Sequence, residues 1–291
     1  MVKGRHTGGR ARLQSINPYG GERVENMVRE AAIAAGMVPE GLAAAVAGRR
    51  WFRDCVGESG CAVYRLTASG EVDLYLKVAE TETLSDLVDE MVRLRWLDGR
   101  FPVPKLRHFL LEAAGWMLTE RLPGQTAYQL LEADLAAAPA LAAALGRFLR
   151  QLHALPAERC PFNADHQLRM AAARDRMEAG LVAEDEFDDA RLGKTAREVW
   201  EEMLAAMPAD FDRVVTHGDF SLDNIFIVDG QVTGCIDLGR VGLADPWQDL
   251  AILWNSLKEF GEEAATAMLQ AYGIPMDPAK LDFHLRLDEF F

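Results

Sequence analysis

Three short apolar runs in the C-terminal third of the chain constrain its fold more than any other feature. The runs cover residues 213–216, 225–228 and 232–236, and β-branched residues are frequent in them. Such runs are typical of strands, and the pair Asp229-Gly230 between the second and third favours a two-residue hairpin turn. We therefore predict a strand, a polar loop, a hairpin of two strands and a second polar loop.

Three polar side chains lie on the two predicted loops. Asp219 and Asn224 follow the first run, and Asp237 follows the third. Phosphoryl transfer needs a carboxylate that accepts the proton of an attacking hydroxyl, and an amide oxygen and a second carboxylate that hold Mg²⁺ beside nucleotide phosphates. Each residue alone is typical of an ordinary turn or cap, but the three in this order predict a phosphoryl-transfer site. Asp219 is the candidate catalytic base, and Asn224 and Asp237 are the candidate metal ligands.

The charge of the chain bears on its partners. The 291 residues are 49% apolar and carry a formal net charge of −14. This charge argues against nucleic acid, whose phosphates attract basic surfaces. It favours a cationic small molecule if the carboxylates are concentrated near the site. We expect a monomer or a weak homodimer.

The cysteines and the N-terminal residues bear on the compartment. The chain has four cysteines without metal-ligand spacing, and we interpret them as free thiols in a reducing environment. No stretch reaches the roughly 18 apolar residues of a membrane span. Residues 1–12 contain no apolar segment of the kind found in secretory signals. We therefore expect a cytoplasmic protein without a membrane partner.

The composition changes twice along the chain. Residues 1–24 have the composition of a disordered extension. We assign residues 25–122 to an N-terminal nucleotide-binding lobe, which is rich in strand patterns and opens with a predicted helix over residues 25–35. Pro123-Gly124 marks the boundary, and residues 123–291 are predicted to form a C-terminal helical lobe that carries the catalytic loops. The fold class is therefore α+β with two lobes.

Two charged residues of the first lobe point to nucleotide binding. Lys77 lies near the end of an alternating strand pattern, and Glu90 lies on the inward side of a helix predicted over residues 84–97. A strand lysine followed by a helix glutamate is the pair with which kinases hold phosphates. Ser59, in the glycine turn of residues 57–60, is a further candidate for phosphate binding, although such a turn is often only a hairpin. The alternatives to Glu90 are the nearby acids Glu80, Glu82, Asp86 and Asp89.

Residues 116–121 are predicted to connect the two lobes. In that position, backbone groups of Thr119 and Arg121 would pair with the edge of an adenine. The expected cofactors are ATP, with GTP as the alternative nucleotide, and Mg²⁺.

Several longer motifs are more specific than the three polar residues. They are Val215-Thr216-His217-Gly218-Asp219 with Asn224, Ile236-Asp237-Leu238-Gly239-Arg240-Val241-Gly242, Ala244-Asp245 with Gln248-Asp249, Cys160-Pro161-Phe162, Arg176-Met177-Glu178-Ala179-Gly180-Leu181-Val182, and the terminal Leu287-Asp288-Glu289-Phe290-Phe291. From about Trp51 to its end, the chain resembles the aminoglycoside phosphotransferases, and within them the 3′-phosphotransferases or kanamycin kinases. The resemblance implies a protein-kinase-like fold with a small β-rich N-lobe and a larger helical C-lobe. It also implies ATP with Mg²⁺, transfer to the 3′-hydroxyl of a kanamycin- or neomycin-like antibiotic, and antibiotic resistance.

The resemblance also implies an antibiotic pocket in the C-terminal lobe. The residues that it assigns to this pocket are Arg240, Glu259, Asp288, Glu289 and Phe291, the last through its α-carboxylate. Residues 184–189 add five carboxylates in six positions, and ammonium groups pair with carboxylates in charge-assisted hydrogen bonds. We select Glu186 as the candidate of this run, with a solvated helix face as the alternative interpretation of the run.

Two other functions remain open at this level. One is a kinase of the same fold for another small hydroxylated compound, such as streptomycin at a 3″-hydroxyl, a macrolide or a metabolite. The other is a non-catalytic nucleotide-binding regulator, which a complete set of Lys77, Glu90, Asp219, Asn224 and Asp237 argues against.

Overall fold

The computed structural model describes residues 30–55 and 60–291. These residues form two compact units. The first contains the described residues up to Val88 together with Leu106–Arg121, and the second contains Asp89–Lys105 and Leu122–Phe291. The chain thus enters the second unit, returns to the first and enters the second again.

The first unit is built on one antiparallel sheet. In spatial order its strands are β1 (Glu30–Ile33), β2 (Arg50–Asp54), β3 (Ala62–Thr67), β4 (Leu74–Ala79), β6 (Gly115–Glu120) and β5 (Leu106–Leu111). Residues in strands alternate between the two faces of a sheet. Leu74 and Leu76 of β4 are therefore on one face, where they are buried with Leu118, and Lys77 is on the opposite face.

The helix predicted over residues 25–35 is wrong where the structure describes it. Residues Glu30–Ile33 form β1, and they pair with β2 from Glu30 opposite Asp54 to Ile33 opposite Trp51. The alanines favour a helix locally, but pairing with a strand that is distant in sequence outweighs this weak preference.

Two helices belong wholly or partly to the first unit. Helix α1 (Glu40–Val46) buries Leu42 and Val46 against the sheet residues Trp51, Leu66 and Leu76. Helix α2 (Leu84–Leu97) matches the predicted helix, and its residues from Asp89 onwards belong to the second unit.

The continuation of α2 is tied to the loops of the second unit. Arg93 Nε donates to the carbonyl oxygen of Val241 at 2.8 Å. The N–H of Cys235 donates to the carbonyl oxygen of Pro102 at 3.3 Å. Residues 89–105 are therefore part of the framework that surrounds the second polar loop.

The second unit is mainly helical, as predicted. Its helices are α3 (Ala127–Ala133), α4 (Ala138–His153), α5 (His166–Glu178), α6 (Ala196–Ala205), α7 (Trp247–Lys258), α8 (Glu262–Tyr272) and α9 (Pro278–Asp288). Local side chains explain several of their starts. Thr126 and Thr195 form capping boxes at α3 and α6, and Asp277 accepts backbone N–H groups at the start of α9. None of the helices in the described ranges is both long and apolar enough to cross a membrane.

The short strands of the second unit confirm the three predicted runs. Strand β8 (Val214–Thr216) pairs with β11 (Gly242–Ala244), and β9 (Ile225–Val228) lies between β7 (Gln125–Thr126) and β10 (Gln231–Cys235). The turn between β9 and β10 has positive φ at both central residues, 48° at Asp229 and 73° at Gly230. Two central residues of positive φ are the mark of the type I′ turn that Asp-Gly favours.

A separate apolar cluster fixes the end of the chain. Helix α9 places Phe283 and Leu287 against α5 and α6, and Phe290 and Phe187 are buried in the same cluster. The segment from Phe283 to Phe290 is therefore held by this cluster.

Candidate active site

The two polar loops meet at one end of the β8 and β11 pair. Thr216 lies opposite Gly242, so the loop after β8 and the loop before β11 are neighbours. Gly218 has a φ of 89°, and a Cβ atom at this position would lie 2.6 Å from the carbonyl oxygen of Arg240. Only glycine adopts this conformation and leaves room for the neighbouring backbone.

His217 joins the two loops through both of its ring nitrogens. Its Nδ1 accepts a hydrogen bond from the N–H of Asp219 at 3.3 Å, and its Nε2 lies 2.9 Å from the carbonyl oxygen of Ile236. A carbonyl oxygen only accepts, so Nε2 carries the proton and Nδ1 does not. Because Ile236 precedes Asp237, this buried ring fixes the positions of Asp219 and Asp237 relative to each other.

A fully buried carboxylate holds the backbone of the first loop. Asp249 of α7 accepts the N–H of His217 at 2.6 Å and the N–H of Gly218 at 2.7 Å. It also lies 3.0 Å from Nε2 of His153, whose Nδ1 lies 2.8 Å from the hydroxyl of Tyr272. Burial acts to raise the pKa of Asp249, but the hydrogen bond and charge of His153, with the interactions of His217, outweigh it and lower the pKa. Asp249 is therefore an ionised anchor.

Asn224 links the first loop to the second. The side-chain Nδ2 of Asn224 donates to the backbone carbonyl oxygen of Asp219 at 3.0 Å. The backbone carbonyl oxygen of Asn224 accepts the N–H of Ile236 at 2.9 Å. Asp237 has the left-handed conformation, with φ 59° and ψ 58°. Non-glycine residues adopt this conformation rarely, and such residues cluster at functional sites. The structure therefore brings together the three residues that the sequence analysis selected for phosphoryl transfer.

The electrostatic environment of Asp219 suits a base. Burial raises the pKa of its carboxyl group, the charge of Arg240 opposes this change, and those of Asp288 and Asp237 add to it. A carboxylate with a raised pKa accepts a proton more readily at neutral pH.

The donors on these loops fit Mg²⁺ only together with phosphate groups. Within residues 30–55 and 60–291, no group of three or more His, Cys, Asp or Glu side chains could hold a metal ion. Mg²⁺ is usually bound by one or two carboxylates together with substrate phosphates and water. The Asp237 carboxylate and the Asn224 amide oxygen are hard oxygen donors of this kind, and they lie on adjoining loops.

The C-terminal residues lie beside the loop of Asp219. Asp288 accepts a hydrogen bond from Arg169 at 2.9 Å, and its charge affects the pKa of Asp219. The ring of Phe291 lies 5.5 Å from the guanidinium group of Arg240. The structure thus brings together Arg240, Asp288 and Phe291, which the sequence analysis assigned to one pocket.

Glu289 belongs to a separate cluster of polar side chains. Its carboxylate accepts Arg191 Nε at 2.5 Å and the backbone N–H of Asp188 at 3.2 Å. The carboxylate of Asp188 in turn accepts Arg191 at 2.9 Å and Nδ2 of Asn255 at 3.1 Å. Burial and then the charge of Asp188 raise the pKa of Glu259, which places Glu259 near this cluster.

The acidic run of residues 184–189 is divided between solvent and the protein, since Glu184, Asp185 and Asp189 are exposed and Glu186 and Asp188 are half-buried. Glu184 accepts the N–H of Ala196 at the start of α6 at 2.7 Å, and Glu186 is half-buried at the end of a 3₁₀ turn. Asp188 is the acid of the run that contacts both α7 and the C-terminal segment. The role predicted for Glu186 stays a prediction, and Asp188 is an additional candidate.

The structure describes Lys77 and Glu90 on separate elements. Lys77 is half-buried on β4, with Val63 and Met117 as its neighbours on the adjacent strands. Glu90 is half-buried and shares the face of α2 that buries Leu87 and Leu94. The four alternative acids are all exposed: Glu80, Glu82, Asp86 and Asp89. Ser59 lies outside the described residues.

The adenine contacts of Thr119 and Arg121 stay a prediction, and the structure limits the backbone groups that could make them. Thr119 lies within β6, where it is opposite Tyr75 of β4 and Leu106 of β5, and not on a connector. The N–H of Arg121 donates to the carbonyl oxygen of Asp73 at 2.9 Å. The sheet ladder extends one residue beyond β6, so this N–H is already used inside the first unit.

Comparison with known proteins shows where this site belongs. The sequence profile of the phosphotransferase enzyme family matches residues 57–284. An aminoglycoside 3′-phosphotransferase from Escherichia coli is 48% identical over 266 residues, which are 90% of this chain and 98% of the relative. This chain belongs to the aminoglycoside phosphotransferase family.

Solved structures of aminoglycoside phosphotransferases confirm the predicted protein-kinase-like fold. The crystal structure of a type VIII aminoglycoside 3′-phosphotransferase matches with a TM-score of 0.74 and 33% identity, over 86% of this chain and 97% of the other. A Streptomyces rimosus aminoglycoside phosphotransferase in complex with ADP and streptomycin matches with a TM-score of 0.68 and 29% identity, over 80% and 93%.

The site of this aminoglycoside phosphotransferase contains residues that sequence reasoning did not select. Asp249 had a detectable signal, because an acid within the apolar pattern of α7 must be buried and therefore paired. Asp188 and Arg191 had none, since their importance comes from contacts with Glu289, about a hundred residues later.

Proposed function

We propose that this protein transfers the γ-phosphoryl group of ATP to the 3′-hydroxyl of kanamycin- or neomycin-type aminoglycosides, and that this reaction causes resistance to them. The observation that carries the proposal is the joining of the Asp219 and Asp237 loops through His217, above the buried anchor Asp249. The 48% identity to an aminoglycoside 3′-phosphotransferase supports this substrate class.

In the proposed reaction Asp219 is the base. As the 3′-oxygen forms a bond to the γ-phosphorus, the proton of the 3′-hydroxyl passes to the Asp219 carboxylate. The bond from the γ-phosphorus to the β,γ-bridging oxygen breaks, and ADP leaves. The raised pKa of Asp219 favours this proton transfer, and the bond from its N–H to His217 holds the residue in place.

Asn224 and Asp237 would hold Mg²⁺ through their side-chain oxygens. When bound, Mg²⁺ neutralises charge on the transferring phosphates and orients them. The hydrogen bond from the Ile236 N–H to Asn224 keeps the two donors on adjoining backbone. Lys77 and Glu90 are proposed to serve the nucleotide phosphates, with ATP or GTP as the donor.

The acids near the C-terminus support a polycationic acceptor. Asp288 contributes to the negative potential at Asp219, and Asp188 contributes to that at Glu259. The ammonium groups of an aminoglycoside would form charge-assisted hydrogen bonds with such carboxylates. Arg240, Glu186, Glu259, Glu289 and the Phe291 carboxylate are the other proposed pocket residues.

A matched pair of substrates tests the proposal. ATP turnover is measured with kanamycin and with its 3′-deoxy analogue, which has the same ammonium groups but no 3′-hydroxyl. We expect turnover with kanamycin, and competitive inhibition without turnover by the analogue. Equal turnover of both compounds would contradict the 3′ position.

Streptomycin is the second candidate acceptor, because a relative of 29% identity binds it together with ADP. It is assayed in the same panel with neomycin and amikacin, and mass spectrometry of the products identifies the modified compound. A kcat/KM for streptomycin above that for kanamycin would replace the first proposal with the second.

A further inference from the structure

The turn that carries Asp237 is held from both ends. On the side that precedes Asp237, the backbone carbonyl oxygen lies 2.9 Å from Nε2 of His217. On the other side, the 3₁₀ turn Leu238–Arg240 leads to Val241, whose buried carbonyl oxygen accepts Arg93 Nε at 2.8 Å. The left-handed conformation of Asp237 is uncommon and persists only where the surrounding structure fixes it. Arg93 is therefore the second support of this conformation, opposite His217.

The direction of the Arg93 side chain is itself fixed. Its Nη1 donates to the backbone carbonyl oxygen of Asp89 at 3.1 Å and lies 2.9 Å from the carboxylate of the same residue. The side chain of Arg93 is only 13% exposed. A guanidinium group presents its donors in one plane and at fixed angles, so the contacts to Asp89 set the direction of Nε towards Val241.

The Cys160-Pro161-Phe162 motif supplies a platform for Arg93. The guanidinium carbon of Arg93 lies 4.8 Å from the centre of the Phe162 ring, a distance at which cation and ring attract each other. The ring of Trp96 meets Phe162 edge to face at 5.9 Å. The backbone carbonyl oxygen of Phe162 accepts the N–H of Leu243 in β11 at 2.9 Å. Phe162 thus joins helix α2 to the strand that follows the Asp237 turn.

We propose that Arg93 is a positioning residue for Mg²⁺: held on the ring of Phe162, it keeps the Asp237 turn in the conformation that presents the carboxylate to the metal. This inference rests on the proposed function, which makes Asp237 a metal ligand. It also gives the Cys160-Pro161-Phe162 motif a role, because Phe162 acts through Arg93.

Four variants test the inference: R93M, F162L, R93M/F162L and the matched control R100M. Arg100 lies 5.6 Å from the ring of Trp96 and donates to the carbonyl oxygen of that residue at 2.5 Å. These contacts resemble those of Arg93, but they stay within helix α2 and the turn after it. Calorimetry measures ADP affinity as a function of Mg²⁺ concentration, and kinetics give KM for ATP and for kanamycin. Hydrogen exchange of residues 237–242 is measured in metal-free protein.

We expect R93M to raise the Mg²⁺ concentration for half-maximal ADP affinity at least fivefold, because residues that orient metal ligands typically contribute about 10–100-fold to metal affinity. KM for ATP should rise with it, while KM for kanamycin stays within threefold. Without metal, residues 237–242 of R93M should exchange at least tenfold faster than in wild type.

The other variants separate the platform from the general effect of losing a cation. F162L should change the Mg²⁺ requirement and the exchange rate in the same direction as R93M, each at least twofold. R93M/F162L should lie within twofold of R93M, because a residue that acts through Arg93 adds nothing once Arg93 is gone. R100M should lie within twofold of wild type in every measurement.

Two results would overturn the inference. One is an R93M protein with the Mg²⁺ requirement and the exchange rates of R100M. The other is a double variant in which the effects of R93M and F162L multiply in full. If R93M fails to fold, F162L decides, and an unchanged Mg²⁺ requirement in that variant would overturn the inference. Wild-type protein that binds ADP with Mg²⁺ but phosphorylates no aminoglycoside would refute the proposed acceptor, whereas the ADP titrations would still decide the role of Arg93.

Discussion

Replacing Asp249 by asparagine would test how the catalytic loop is held in place. The change keeps the shape of the side chain and exchanges one oxygen for an NH₂ group. In the better orientation, the remaining oxygen keeps the contacts to the His217 N–H and to His153, and the NH₂ group then faces the N–H of Gly218. Two donors oppose each other at a site that is completely buried.

These contacts determine how much free energy of unfolding D249N loses. One buried N–H without an acceptor costs about 1–3 kcal/mol. The two retained hydrogen bonds lose the charge of their acceptor, which weakens each by about 1 kcal/mol. We therefore expect D249N to lower the free energy of unfolding by about 3–5 kcal/mol. Displacement of the Asp219 loop should also lower kcat on the order of 10²-fold, because small misplacements of reacting groups are costly.

Urea unfolding and steady-state kinetics measure the two effects, with D229N as the matched control. Asp229 undergoes the same chemical change on the exposed hairpin, in a left-handed conformation that asparagine tolerates. The pKa of Asp249 is lowered in the folded protein, so its contribution is present above the pKa of the unfolded chain and is lost as pH falls through the folded value. The difference in free energy of unfolding between wild type and D249N should therefore become smaller at acid pH. A D249N protein with the stability and kcat of D229N would refute this account of the loop.

Three further changes test other parts of the molecule. Asp219→Ala should lower kcat by about 10²-fold or more with nearly unchanged ATP affinity in calorimetry, and wild-type turnover by the variant would exclude Asp219 as the base. Because burial raises the pKa of Asp219, the acid limb of the wild-type profile of kcat against pH should lie above the usual range of aspartate. Asp237→Ala should lower Mg²⁺-dependent nucleotide affinity and turnover together, with partial rescue at high Mg²⁺, and an unchanged Mg²⁺ titration would contradict its role as a ligand. Lys280→Met removes the cation that lies 2.8 Å from the buried carboxylate of Asp245. It should cost about 3–5 kcal/mol in urea unfolding, and a loss below about 1 kcal/mol would show that this pair is not needed for stability.

Elements with a strong local signal could be predicted from the sequence. The hairpin at Asp229-Gly230 and helix Leu84–Leu97 were predicted because turn chemistry and hydrophobic spacing act over a few residues. Glu30–Ile33 was mispredicted because its strand state depends on Arg50–Asp54, which lies beyond an intervening helix. Helix Glu40–Val46 was missed, since Pro39 and Gly41 resemble loop residues and its burial against the sheet cannot be seen locally.

The residues of the site also divide into those with a local sequence signal and those whose role depends on distant residues. Asp219 and Asp237 could be selected because the chemistry requires them in that order at the ends of strands. Arg191 could not, because its role depends on Glu289, and a surface arginine would have the same local sequence. The use of the Arg121 N–H inside the sheet could not be predicted either, since it depends on the register of the ladder between β4 and β6.

The return of the chain to the second unit has a consequence for engineering. A gene fragment that starts at Leu122 would encode Asp219 and Asp237 but would lack Arg93 and Pro102, whose contacts support the backbone around Asp237. We expect such a fragment to be unstable in cells unless residues 89–105 are supplied in trans or fused to it. The helical unit is therefore not an interchangeable module, and a split version of the enzyme would need its cut before Asp89 or within a loop that does not separate these partners.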